Sequence, residues 1–535
     1  MSPQSPHPYR VETLMNHVRR LVRIFGCVGA TAVMVVAGAS LASAAGTVTA
    51  AVTGASPVIG AKVAPYEKLY ERTTTATRAL PAVPKQALFQ AASSLSTELG
   101  LAQNPAQILG ADLSPQVAGR LANVLTDLLT CYRLTKPAFS AIPPALLSQV
   151  LATGGGLNPA AYTGIRLCGE SAWQSTNELE LAVLDELPDT AAPGCQPLGQ
   201  VDLDIWPVLR VDGGCRDNRY DNDYLLTLDV GGNDTYANNA GSNVVDVNFS
   251  PVGSAVTGLR GTGPAKGCQR AIPGLTALDC VPAAAVLLDI QGNDVYGVKQ
   301  TPDHDTGCTN DPVVRRMMTG GAGFLGVGIL RDAEGNDTYT GKTGSLGAGH
   351  IFGVGILSDG AGDDTYGAVR NSQGFALVGG VGVLRDEAGD DGYGFYMPAA
   401  INPNAPNQTE GAGGVRDDEG EGLCDRIPRF TQGAGNVASA TGIFLDDAGA
   451  DHYHGAFAGQ FIGPIQVPST RAGSLGFGNN QGVGVFLDRG TADDQYTVDG
   501  EPSVAGVPQR GDNVIVQPNN DSTGAGFGQG LFVDQ

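Results

Sequence analysis

The sequence predicts a mainly β fold, a right-handed parallel β-helix of 27-residue coils, preceded by a small α-helical domain. Three observations carry this. "GVGILRDAEGNDTYTG" at 326–341 returns as "GVGILSDGAGDDTYGA" from 353 and "GVGVLRDEAGDDGYGF" from 380, each displaced by 27 residues. The pattern Asp-x-x-Gly-x-Asp-x-Tyr begins at Asp229, Asp289, Asp332, Asp359, Asp386 and Asp446, with a copy one residue longer at Asp488 and the start of another at Asp534. Before about residue 200 the periodicity is that of helices instead.

The chain begins with Arg19, Arg20 and Arg23, followed by the apolar run "IFGCVGATAVMVVAGASLASA" ending in Ala42-Ser43-Ala44. A basic stretch, an apolar core and a small-residue end are the parts of a secretory signal, and cleavage after Ala44 is expected. A retained membrane anchor is the alternative, because the run approaches ~20 residues. Residues 45–64 read as a linker. Residues 65–195 read as a helical domain: after Ser114-Pro115, a capping residue and a first-turn proline, Val117, Leu121, Val124, Leu125, Leu128, Leu129 and Tyr132 share one face. Its expected role is to cover the first edge of the repeats, since a stack needs a terminal cover. Of nine cysteines, Cys27 leaves with the signal, and an even remainder in an exported chain suggests disulfides. Proximity suggests Cys131–Cys168, Cys195–Cys215, Cys268–Cys280 and Cys308–Cys424. No Cys-x-x-Cys pair offers a zinc site.

From residue 200 to 535 the repeats follow. The intervals between motif starts are 60, 43, 27, 27, 60, 42 and 46 residues, and the extra residues fall between the Tyr of one copy and the "GVGIL" strand of the next. Insertions that leave a stack on one side often form its binding face. Val327 and Ile329, alternating with glycine, are expected to point inward over Val354 and Ile356, leaving a bare glycine ridge outside. One coil cannot bury its own apolar face, whereas stacked coils share a core. A propeller blade is the rival, but it needs ~40 residues or more.

"EGNDTY" (334–339) and "GGNDTY" (231–236) resemble the glycine- and aspartate-rich nonapeptide of the RTX, or hemolysin-type, calcium-binding repeats. More loosely, the chain is similar to secreted parallel β-helix proteins. The RTX resemblance covers six to eight residues per copy and lacks the tandem nine-residue spacing. It implies calcium ligation at the second aspartates, Asp234, Asp294, Asp337, Asp364, Asp391 and Asp451. Independently, stacking places the first aspartates (Asp229, Asp289, Asp332, Asp359, Asp386, Asp446) and the second ones in two columns with steps of about 5 Å. Like charges at that distance repel by about 3–4 kcal/mol at an effective dielectric near 20. Calcium, which takes six to eight oxygens, is one remedy. Asx-type turns that satisfy each carboxylate with backbone amides are the other.

The formal charge of −22 makes nucleic acid and anionic membranes poor partners. The expectation is a secreted or cell-surface protein that binds a carbohydrate or cell-surface ligand through its insertions. The alternative is a polysaccharide-active lyase or hydrolase using Asp332, Asp359 and Asp386 with Arg331 and Arg385, or the insertion residues Arg315, Arg316, Asp417, Asp418, Glu419, Asp425, Arg426 and Arg429. Hydrolysis needs two carboxyls at a set separation, yet periodic residues repeat for the stack's sake and a catalytic pair should break the pattern. His452 and His454, flanking Tyr453, form a His-x-His pair with no third ligand evident. His350 reads as packing, and "DNRYDNDY" (217–224) is an acidic run beside the first coil. Gly-x-Ser-x-Gly, His-Glu-x-x-His and phosphate-loop patterns do not occur.

Overall fold

The computed structural model describes residues 48–101, 104–140, 159–187, 194–243, 245–248, 255–257, 283–297, 318–341, 344–368, 371–394, 431–436, 439–462, 465–479, 481–490, 492–499, 510–516 and 529–534. The fold is β-rich: three sheets of mainly parallel strands, with helices laid on one of them. Residues 1–44, expected from sequence to be a secretory signal, and Cys268, Cys280, Cys308 and Cys424 lie outside the described residues. The Cys131–Cys168 and Cys195–Cys215 disulfides are present, with Cα separations of 5.2 and 5.7 Å.

Each repeat between residues 318 and 499 gives one strand to each sheet, and the earlier repeats give strands to the first two only. The first sheet has eleven strands, among them Leu226–Asp229, Ala284–Leu288, Val327–Arg331, Val354–Ser358, Val381–Asp386, Thr441–Asp446, Val483–Asp488 and Gln529–Asp534. Val327 pairs with Val354 and Val354 with Val381, so the 27-residue displacement is the strand register itself. The second sheet carries the tyrosines, with Tyr339 beside Tyr366 and Tyr366 beside Tyr393. The third consists of two-residue strands such as Gly323–Phe324, Gly349–His350 and Ala376–Leu377.

The glycines of "GVGIL" face the opposite way from the expectation. Val327, Ile329, Val354 and Ile356 pack outward into one core with Leu121, Leu125, Trp173 and Leu179 of the helices. Gly328 faces the interior, where a Cβ would lie 2.0 Å from the Ala322 carbonyl oxygen of its own repeat. Leu330, the next inward residue, joins the tyrosines. The space between the sheets is thus too narrow for a side chain at Gly328, and the aliphatic face is left for another layer to cover.

That layer is the helical region. Helices Pro115–Ser140 and Pro159–Glu186, tied by Cys131–Cys168, lie across the outer face of the first sheet. They do not cap its first edge, which is closed instead by Asp202–Ile205 pairing antiparallel with Leu209–Asp212. The expected linker is also structured. Residues 48–55 and Pro57–Val63 are helical, and Val48, Val52, Ile59 and Val63 are buried in the same core. Ser56 caps the second of these helices by accepting from Ile59 N, with proline following at the first helical position.

Arg331 is 1% exposed and holds Glu180 through two hydrogen bonds of 3.0 and 3.1 Å. Arg72 bridges Glu180 and Glu387 at 2.6 and 2.8 Å, and Arg385 reaches Asp447 at 2.7 Å and the Tyr70 carbonyl at 2.8 Å. Helices and sheet are therefore joined by an ion-pair network, partly exposed but centred on the buried Arg331–Glu180 pair, as well as by apolar contact. Arg331 and Arg385, read from sequence as catalytic candidates, belong to this network.

Candidate metal centre

Alternation along the first sheet turns the aspartate after Arg331 back toward the interior, and the same holds in every copy. Asp229, Asp289, Asp332, Asp359, Asp386 and Asp446 are fully buried, and Asp234, Asp294, Asp337, Asp364, Asp391 and Asp451 are exposed by 2% or less. The tyrosines stack beneath them from Tyr220 through Tyr236, Tyr296, Tyr339, Tyr366, Tyr393 and Tyr453 to Tyr496, with ring centroids 4.7–5.1 Å apart.

Several first aspartates are held from two sides. Oδ1 accepts from a turn amide two residues on in three of them, Gly231 N to Asp229, Ala361 N to Asp359 and Ala388 N to Asp386, at 3.0–3.1 Å, while Asp289 accepts from Ile290 N at 2.8 Å. Oδ2 accepts the phenol of the preceding repeat in four, Tyr296 to Asp332 and Tyr366 to Asp386, both at 2.5 Å, with Tyr236 to Asp289 and Tyr339 to Asp359 alike, and Asp446 accepts from Tyr453 of its own repeat at 2.9 Å. Half of the Asx-turn reading is therefore realised. Removing a donor to a buried carboxylate costs about 1.5–3 kcal/mol, so Tyr366→Phe is expected to lower unfolding stability by about 2 kcal/mol in urea titration, with its ring stack retained.

The second aspartates form a ladder of their own. The Oδ1 of each accepts the backbone N–H of its counterpart one repeat earlier, from Asp294 N to Asp337, Asp337 N to Asp364, Asp364 N to Asp391 and Asp391 N to Asp451, at 2.5–2.7 Å. Their other oxygen is left over. Oδ2 of Asp234, Asp294, Asp337 and Asp364 is buried with no hydrogen-bond partner, as is Oδ1 of Asp332 and Asp446. Such orphaned acceptors are uncommon in native interiors and call for a cause.

These oxygens converge. Asp234, Asp289 and Asp294 bring one oxygen each within 4.8 Å of the others, and so do Asp294, Asp332 and Asp337; Asp337, Asp359 and Asp364; Asp364, Asp386 and Asp391; and Asp391, Asp446 and Asp451. Each cluster joins the second aspartate of one repeat to both aspartates of the next. Calcium bonds oxygen at 2.3–2.6 Å, so ligands on opposite sides of one ion lie up to about 5 Å apart, which matches the span. Two carboxylates per repeat also balance one divalent ion per repeat. Burial, foremost, with the charge of Asp332 and Asp289 or Asp359 behind it, pushes Asp294 and Asp337 up to about 12. Asp364 is pushed up to about 8, again chiefly by burial. Without a cation such groups hold protons, and with one they supply a preformed oxygen site.

Sequence reasoning missed one copy and one strand. Asp212 pairs in register with Asp229, and Tyr220 with Tyr236, so "DGGCRDNRY" (212–220) is a degenerate first repeat, lengthened by a residue as at Asp488. Asn218 stands where the others carry the second aspartate, and its N–H donates to Asp234. The third-sheet strands follow a Ser/Thr-x-Gly signature at Thr319, Ser345, Ser372, Thr431 and Ser474, visible in the sequence 8–10 residues before each first-sheet strand. His350 is buried against Phe375, with burial pulling its imidazole down to about 4. Arg315, Arg316, Asp417, Asp418, Glu419, Asp425, Arg426 and Arg429 lie outside the described residues. No protein-family model, curated protein or solved structure matches this chain.

Proposed function

We propose that the chain is a right-handed parallel β-helix exported to the cell surface or beyond, acting as a binding or structural protein whose scaffold is held by calcium along its aspartate columns. The observation that carries this is the set of buried three-aspartate clusters with unpartnered oxygens. Export is supported by the sequence of residues 1–44 and by the two disulfides. Ligand recognition is assigned to the insertions at 237–285, 297–318, 395–430 and 455–475. Three of them, 297–318, 395–430 and 455–475, fall between a tyrosine strand and a third-sheet strand and so share one side, suited to a carbohydrate or another surface ligand.

Polysaccharide cleavage has less support. Asp332 faces inward to Tyr296 while Arg331 faces outward to Glu180, so the two lie on opposite sides of one strand. The test is thermal melting during calcium titration. An ion that binds only the folded state stabilises it by RT ln(1 + [L]/Kd), about 2.7 kcal/mol at a hundredfold excess over Kd for one site. Calcium is expected to raise Tm and its removal by chelation to reverse the gain, with Asp364→Asn weakening the response. No shift in either direction would refute the calcium part of this reading.

A further inference from the structure

Two of the six histidines of the chain flank a single tyrosine, Tyr453. In the other copies from Tyr236 onward the corresponding pairs are Thr235 and Ala237, Val295 and Gly297, Thr338 and Thr340, Thr365 and Gly367, Gly392 and Gly394, and Gln495 and Thr497. The scaffold therefore tolerates small residues here, and only one repeat places imidazoles. A residue that repeats serves the stack; one that departs from it needs another cause.

The structure fixes where the two rings go. Tyr453 is 1% exposed and turned inward, so its neighbours point out: His452 is exposed and His454 half-buried. On one side their strand pairs with Gly392–Gly394, whose two glycines add no side chain of their own beside His452 and His454. On the other side it pairs with the strand bearing Gln495 and Thr497, both exposed, with Gln495 in register with His452 and Thr497 with His454. The strand is anchored from within, Tyr453 donating to Asp446 at 2.9 Å and Gln432 Nε2 to the His454 carbonyl at 3.3 Å.

We propose that His452 and His454 form a surface chelate for a nitrogen-preferring divalent transition metal such as Cu2+, Ni2+ or Zn2+. Residues two apart on a strand emerge on the same face about 6.6–6.8 Å apart. Two imidazoles inclined toward each other span that gap around one ion with bonds of about 2.0–2.1 Å. Gln495, in register with His452 on the neighbouring strand, offers an amide oxygen as a third donor, and further positions would be filled from solvent or from a partner. This site is chemically separate from the aspartate columns, since imidazole favours borderline transition metals and carboxylate favours calcium.

The experiment uses the untagged mature protein saturated with calcium, so that the oxygen sites are filled, and titrates Cu2+ by calorimetry with electron paramagnetic resonance in parallel. One equivalent is expected, with hyperfine structure from two imidazole nitrogens. His452→Gln and His454→Gln should each weaken binding at least tenfold, the double variant should lose the signal, and the melting temperature without copper should stay at the wild-type value. The only other histidines after residue 44 are His304 and His350. Retention of wild-type copper affinity in the double variant, or no stoichiometric binding by the wild type, would overturn the assignment.

Discussion

Calcium-stripped protein is expected to lose stability as the pH rises from about 5 to about 8, and saturating calcium to abolish that loss. The sign follows from which state holds more protons. Unfolded aspartates ionise near 3.9. In the fold, burial first and neighbouring aspartate charge second push Asp234 up to about 6, Asp364 and Asp451 to about 8, and Asp391 to about 12. Between these values the folded state binds more protons than the unfolded one, so stability falls as pH rises, by about 1.4 kcal/mol per pH unit for each net proton. The window runs from about 4 to 8 for Asp364 and Asp451 and closes near 6 for Asp234. Calcium replaces the protons and leaves the carboxylates ionised in both states, which flattens the slope; at lower pH protons compete for the same oxygens and its benefit fades. Urea unfolding at stepped pH, with and without calcium, reads both curves. A stripped protein that is flat or gains stability over this range would mean that the columns are solvated and ionise normally.

The columns could be foreseen because an unbroken 27-residue displacement leaves little freedom: whatever Val327 does, Val354 and Val381 repeat, and Asp332, Asp359 and Asp386 must line up. The tyrosine stack follows from the same constraint. Which face of the first sheet lines the interior and which lies under the helices was not legible, because a period of two assigns Val327 and Gly328 to opposite faces without saying which is inside. The outcome depends on the helices. Glu180 and Arg331, 151 residues apart in sequence, carry no local signal of their pairing, and neither does the contact of Gly169 with Val354.

Backbone conformation was a second blind spot. Leu346 and Gln373 have φ of 55° and are followed by Gly347 and Gly374 at 72° and 74°. Two successive left-handed residues turn the chain from the tyrosine sheet to the third sheet, and only the second is a glycine. A leucine or glutamine at positive φ breaks the usual preference, so residue type alone points to the wrong conformation there. The glycine at least is required: a Cβ on Gly347 would lie 2.0 Å from the Val383 carbonyl oxygen.

Replacing Arg331 tests whether the helical layer is part of the folded unit. Burial alone would raise Glu180, but Arg331 and then Arg72 outweigh it and hold its carboxyl below the usual range. Removing one partner of a buried pair typically costs about 3–5 kcal/mol, because the other charge is left uncompensated. Arg331→Met is therefore expected to lower unfolding stability by about that amount and to make the Pro159–Glu186 helix more susceptible to limited proteolysis. Arg72 remains against Glu180 at 2.6 Å, so the loss should sit toward the lower end of the range. Adding Glu180→Gln to Arg331→Met removes the stranded charge and should recover a large part of the loss, since a neutral buried pair often matches an ionic one. Urea unfolding of the four members of this cycle separates the coupling from mere loss of side-chain volume. A deficit for Arg331→Met under about 1 kcal/mol, or one that Glu180→Gln deepens, would show that the helices are held by the aliphatic contact of Val327, Ile329 and Val354 alone, with the ion pairs serving to fix their register.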